Sequence, residues 1–164
     1  MRRGPGKPMS TYSKSPSDGS GGSGKSPLAA ERARAAQTLE SCDITPTPQR
    51  VEIARILLAR PQHLSAEQVL SALTQGDLTV SKATVYNTLG LFAEKGLVRE
   101  VIVDPSKVFY DSNCSNHHHF YDVDSCTLED INAGEITLGG LPEMPAGKVV
   151  DRVDVIVRVR SRGK

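Results

Sequence analysis

The sequence has no tryptophan, only three phenylalanines and four tyrosines, so its interior is short of aromatic rings. It has three cysteines, Cys42, Cys114 and Cys126, an odd and scattered set that fits no disulfide framework. No apolar run approaches the ~18 residues a membrane helix requires. Met1-Arg-Arg-Gly-Pro leads into no apolar stretch of the kind a secretory signal carries. These absences lead us to expect a soluble, cytoplasmic protein without a membrane partner. Neither H-E-x-x-H nor G-x-S-x-G occurs, so no general base or elbow nucleophile is signposted and no enzyme is expected. Charge of one sign is also missing: the net charge of +1 argues neither for nor against nucleic acid. What remains is 164 residues, 38% of them hydrophobic, enough for one domain or two small ones with a packed core.

The charge that is present is unevenly placed. Residues 1–27 carry Arg2, Arg3, Lys7, Lys14 and Lys25 against Asp18 alone, in a setting of Gly, Ser and Pro. Such a segment buries too little apolar surface to fold, and reads as a disordered basic arm. It can meet DNA phosphates non-specifically, and it is equally well explained as a solubilising tail. Helix formers dominate from Leu28 to Ser41, with Leu28, Ala35 and Leu39 as buried positions. Thr47 and Pro48 open a second helix with a stripe of Ile53, Ala54, Leu57 and Leu58, ended near Pro61. Ser65-Ala-Glu-Gln68 has the form of a capping box leading into Val69, Leu70 and Leu73, and Gly76-Asp77 then turns the chain.

The organising stretch is Ser81 to Glu100. Ser81 is a good N-cap, Val85, Leu89 and Phe92 share one helical face, and Gly96 sits where a left-handed cap should stop the helix. Lys82, Tyr86 and Asn87 fall on the opposite face, a set able to reach phosphates, thymine methyls and base edges. After Gly96 the period turns to alternation through Leu97, Val98, Val101 and Val103, a turn at Asp104-Pro105, then Val108, Phe109 and Tyr110. A recognition helix running into a two-stranded wing is the economical reading. A core helix followed by a hairpin, with no nucleic acid involved, fits the same pattern. Residues 28–104 carry eight Lys and Arg against nine Asp and Glu, so a basic field does not decide between them.

A second informative run is His117-His-His-Phe-Tyr121, which holds three of the four histidines. On an extended strand His117 and His119 project to one side and His118 to the other. Two imidazoles at i and i+2 can converge on one ion, which makes the pair a candidate metal site. Val149 to Arg160 alternates as a strand, and with 117–123 and 126–131 it makes a small three-stranded sheet. A sheet that small needs cover, and a second copy of the chain would supply it. Residues 132–148 read as loop with at most a short helix.

Ser81-Lys-Ala-Thr-Val-Tyr-Asn-Thr-Leu with the later Gly-Leu-Val closely resembles the DNA-reading segment of the ferric uptake regulator (Fur) family. The resemblance implies an α+β chain: an N-terminal winged helix-turn-helix, then a small α/β dimerisation domain with a three-stranded sheet. We therefore expect an arm over 1–27, a DNA-binding domain over 28–112, and a dimerisation and sensing domain over 113–164. It implies a homodimer on a palindromic operator in double-stranded DNA, touched by Arg50, Lys82, Thr84, Tyr86 and Asn87. Arg50 also fits a plain solvated helix-start arginine. The family pattern further implies a metal site of His63, Asp111, His117, His119 and Asp130, each matching a family position, holding Fe(II) or Mn(II) as its mixed O/N donors suit.

The departures from the family narrow the resemblance. The places of the Cys-x-x-Cys that holds a structural zinc read Asp122 and Ser125, so no structural zinc is expected. Asn87 follows Tyr86 where many relatives have Arg. Both departures, the His-His-His-aromatic-Tyr run and the tail Leu-Pro-Glu-Met-Pro-Ala-Gly resemble the iron response regulator group. That resemblance implies regulation, mostly repression, of iron and haem genes, with haem at His117, His118 and His119 as a hypothesis. A Cys-Pro haem element is missing, because Cys42 precedes Asp43. Two other readings stay open: a metal-independent winged-helix regulator, and a metalloenzyme using the histidine cluster.

Overall fold

The computed structural model describes residues 26–76 and 78–162. The expected basic arm lies outside the described residues except for its end, as does Asp77 of the expected turn. Ser26 caps and Pro27 opens the first helix, α1 (Pro27–Ser41), the Ser26 hydroxyl accepting the Ala29 N–H at 3.2 Å. Ala35 and Leu39 are buried as expected, but Leu28, in the first turn, is 41% exposed. Helix α2 (Pro48–Leu57) starts from a Thr47 cap with Pro48 in its first turn. Strand β1 (His63–Ser65) runs directly into α3 (Ala66–Leu73), where Ser65 and Gln68 form the reciprocal capping box.

Helix α4 (Lys82–Glu94) begins at Ser81, whose hydroxyl accepts the Thr84 N–H at 3.1 Å. Its apolar stripe of Val85, Leu89 and Phe92 is fully buried against α2 and α3. Gly96 ends it in the left-handed region at φ +70°, where a Cβ would be strained. The Leu97 N–H then reaches back to the Phe92 carbonyl at 2.8 Å and turns the chain into the wing.

The wing contains β2 (Arg99–Asp104) and β3 (Lys107–Asp111), antiparallel across the Asp104-Pro105 turn. It has a third member that periodicity did not reveal: β1 pairs antiparallel with β3, giving the order β1-β3-β2. Three residues are too few for a period to register, and the pairing is made by partners distant in sequence. The second sheet comprises β4 (His117–Asp122), β5 (Thr127–Asn132) and β6 (Ile156–Val159), in the order β5-β4-β6. A single 3-10 turn at Ala133–Glu135 follows β5 in the expected loop. Strand β6 is shorter than the expected 149–160. It pairs parallel with β4 from His119 to Asp122, and the end of β4 there accounts for its C-terminal limit alone.

The wing presents two faces to two cores. Tyr110 and Val98 join the helical core, whereas Val101, Val103 and Phe109 pack on Tyr121 and Leu128 of the second sheet. Apolar burial at roughly 25 cal/mol per Å² makes this second cluster the joint between the two sheets. The site described next lies where that joint meets the ends of β1 and β3.

Candidate metal centre and nucleic-acid face

Five side chains from four strands converge. Register places His63 opposite Asp111 on β1 and β3, and His119 opposite Asp130 on β4 and β5. The pleat turns His117 to the same side as His119. His63, Asp111, His117, His119 and Asp130 each offer one donor atom, and these atoms all lie within 4.8 Å of one another. All five are the residues named from the sequence, and the group contains no cysteine. His118 points the other way, its Nδ1 accepting the Val155 N–H at 3.4 Å, so the three adjacent histidines do not converge.

His117 Nε2 and His119 Nε2 meet at 3.0 Å, and other atoms of the group stand close without that alignment. His63 Nε2 is 2.8 Å from Asp130 Oδ1, and His117 Nε2 is 2.9 Å from Asp111 Oδ2. Yet His63 Nε2 and Asp111 Oδ2 are buried with no aligned hydrogen-bond partner. The crowding therefore leaves an atom of His63 and one of Asp111 unsatisfied in the protein alone, and an unpaired buried polar atom costs about 1–3 kcal/mol. A cation at the shared point would satisfy them together. Three imidazoles and two carboxylates therefore fit a divalent first-row ion, and the mixed N/O set suits Fe(II), Mn(II) or Zn(II).

The carboxylates are held from behind. The Asn113 backbone N–H donates to Asp111 Oδ1 at 2.8 Å, and its side-chain amide donates to Asp130 Oδ2 at 3.2 Å. Burial pushes the Asp111 carboxyl up, but bonds from His119, His63 and the Asn113 N–H outweigh it and hold Asp111 well below the usual carboxylate range. It is thus an anion inside the protein, which demands a counter-charge. One is present: Arg99, buried on β2 opposite Asp111, stands 3.9 Å from Asp111 Oδ2. Sequence reading missed Arg99 and Asn113. The available signal for Arg99 was its place in the inward series Arg99, Val101, Val103, where a charge is out of keeping.

The second surface lies on α4. Lys82, Tyr86 and Asn87 are exposed, while Thr84 is half-buried and its hydroxyl meets that of Ser81 at 2.8 Å. The Tyr86 hydroxyl donates to Glu67 on α3, and Lys82 Nζ stands 3.7 Å from the same carboxylate. The bond to Glu67 raises the Tyr86 phenol and lowers the Glu67 carboxyl. Arg50 is half-buried, and its guanidinium donates to the Thr45 carbonyl at 3.0 Å. It is held at the start of α2 and does not share the α4 face.

Among the described residues no helix is long and apolar enough to cross a membrane. The chain is similar to known proteins in both sequence and shape. It is 35% identical over 82 residues to the peroxide-responsive repressor PerR of Staphylococcus aureus strain Mu50, which covers 50% of this chain and 55% of that repressor. It spans about half the length of the curated relatives it matches. A manganese-bound ferric uptake regulator from Pseudomonas aeruginosa superposes with a TM-score of 0.57 at 24% identity, covering 79% of this chain and 98% of that one. The ferric uptake regulator of Vibrio cholerae gives 0.59 at 19% identity, covering 77% and 98%. These likenesses establish the fold, a winged helix-turn-helix followed by a small sheet domain. Residues 42–139 match the model of the ferric uptake regulator family, and the chain belongs to that family.

Proposed function

We propose that this protein is a metal-responsive, DNA-binding transcriptional regulator whose effector is a divalent ion held by His63, Asp111, His117, His119 and Asp130. The observation that carries the reading is the origin of those ligands. His63 and Asp111 belong to the wing sheet beside the DNA-reading helix, and His117, His119 and Asp130 belong to the second sheet. An ion bound there neutralises two carboxylates and ties the two sheets together. Occupancy then biases the angle at which α4 is presented, which is how binding at one place alters affinity at another. Lys82, Thr84, Tyr86 and Asn87 read DNA from α4, with Arg50 as a backbone contact from α2.

The finer form of the reading is an iron-responsive regulator, mostly a repressor, of iron and haem genes, similar to the iron response regulator group. In it Fe(II) or Mn(II) is the ion, and a homodimer assembled through residues 113–164 binds a palindromic operator through residues 28–112. Haem at His117–His119 is a variant that requires His118 to leave the Val155 N–H; an unshifted Soret band on haem titration would remove it. The family is one of regulators, which leaves a His-cluster metalloenzyme without support. The test is fluorescence anisotropy on the protein's own promoter DNA, comparing metal-free protein, added Mn(II) and added haem. DNA affinity that changes with Mn(II), and no longer changes when His117 and His119 are both replaced by Ala, is expected. An Mn(II) response that survives the double substitution would remove His117 and His119 as the sensor, and native protein whose DNA affinity ignores Mn(II) would favour a metal-independent regulator.

A further inference from the structure

The buried guanidinium of Arg99 is a charged group of the interior, beside the candidate ligands, that the proposed function does not use. Arg99 is 6% exposed, and a buried cation of that kind is rare unless paired. It leaves α4 by the shortest route, as the first residue of β2 after the Gly96 cap. Its terminal nitrogens donate to the carbonyls of Ser115 at 3.2 Å and His117 at 3.4 Å. The same side chain reaches Asp111 at 3.9 Å and Asp154, just before β6, at 3.7 Å. One Arg99 nitrogen also stands 3.4 Å from Nδ1 of His119, and as a guanidinium only donates, that ring nitrogen accepts. Arg99 Nε remains without a partner. The guanidinium therefore borders two of the five ligands, the carboxylate of one and the imidazole of another.

We propose that Arg99 is the resident counter-cation of the metal centre: its fixed positive charge balances Asp111 when no ion is bound, and competes with a divalent ion for that carboxylate and for His119, holding the site's affinity down. The inference rests on the metal-responsive reading above. Its physical ground is charge arithmetic in a confined space. Asp111 and Asp130 supply two negative charges, and Arg99 already offsets one of them. A divalent ion bonded to Asp111 and His119 would share both groups with a second cation, since Arg99 faces Asp111 Oδ2, the oxygen nearest the imidazoles, and Nδ1 of His119. Repulsion between them is weakly screened, because Asp111 and His119 are fully buried. A site meant to respond to changing ion levels must release its ion, and a built-in cation lowers affinity without removing a ligand.

The experiment is isothermal titration of the full chain with Mn(II), with thermal melts of metal-free and loaded protein. In Arg99→Met the expected result is Mn(II) binding at least about tenfold tighter, with a lowered melting temperature for metal-free protein and a larger rise on loading. Arg99→Lys, which keeps the charge, should restore near-native affinity. Because removing a buried cation can prevent folding, Asp154→Asn is the second variant. Asp154 is 44% exposed and is no ligand, and neutralising it leaves Arg99 more fully committed to Asp111, so Mn(II) should bind several-fold more weakly. Opposite signs for the two variants are what a merely structural arginine would not give. Unchanged or weaker binding by Arg99→Met, or unchanged or tighter binding by Asp154→Asn, overturns the inference while the native protein still binds. Native protein that takes up no Mn(II), Fe(II) or Zn(II) overturns the metal-responsive reading itself.

Discussion

His63 and Asp111 are register partners across β1 and β3, and the imidazole Nε2 stands 3.5 Å from Asp111 Oδ1. The pairing joins the start of α3 to the end of the wing, so the proposed metal centre is rooted in the helical part of the chain as well as in the second sheet.

Removing that root should uncouple sensing from reading. His63→Ala is expected to weaken Mn(II) binding by about 10- to 100-fold, in the range seen for loss of one coordinating or supporting group. It should leave metal-free DNA affinity near that of the native protein. Calorimetry and anisotropy on the same preparations check both halves, and an unchanged Mn(II) affinity would remove His63 from the ligand set.

Asn113 holds both carboxylates through its backbone and its amide, and only the amide is replaceable. Asn113→Ala should loosen Asp130 while Asp111 keeps its backbone bond. A loss of Mn(II) affinity of roughly tenfold is expected, with little change in melting temperature of metal-free protein, since the lost contact is exposed.

On α4 the exposed residues should separate by role. Lys82→Met is expected to weaken DNA binding on every sequence and to reduce the salt slope by about one. Asn87→Ala should cost about 1–3 kcal/mol on the operator alone and relax sequence preference at one position. Binding measured on operator and scrambled DNA over a salt series distinguishes them. Equal losses on both DNAs for Asn87→Ala would make it a backbone contact.

Glu52 on α2 bonds Arg32 of α1 and Arg55, with side-chain exposure of 11%. Burial pushes its carboxyl up, but the two arginines outweigh this and hold it below its ordinary value of 4.5. A group lowered on folding stabilises the protein above its unfolded pKa, and that contribution fades as pH falls through the folded one. Glu52→Gln should therefore cost on the order of 1–3 kcal/mol at pH 7, leaving two arginines short of a partner. The difference from native protein should shrink below about pH 4.5, read from urea unfolding across pH. A difference that is flat with pH would dismiss the charge as its source.

The apolar stripe of α4 carries the helical core. Phe92→Ala removes a fully buried ring and should cost about 3–5 kcal/mol by chemical denaturation. Loss well under 1 kcal/mol would mean that the core recloses around the gap.

Local chemistry was legible without the fold. Caps at Thr47, Ser65 and Ser81, the stop at Gly96 and the stripe Val85-Leu89-Phe92 obey short-range rules, because a helix bonds and buries within a few turns of itself. The H-x-H pair was legible for the same reason: alternation along one strand puts His117 and His119 on one side whatever surrounds them. Naming His63, Asp111 and Asp130 needed a family pattern, since no rule of spacing links positions on separate strands.

Tertiary structure decided what stands opposite what. The three-residue β1 has no period of its own, and exists because β3 offers it a ladder edge. Its register, and that of β4 with β5, converts five scattered residues into one cluster within 4.8 Å. The same pairing puts Arg99 beside Asp111 and turns an alternating strand position into a buried charge. The sequence alone determined the elements and the kinds of chemistry available; long-range pairing, which no local pattern encodes, determined which of those groups share a site.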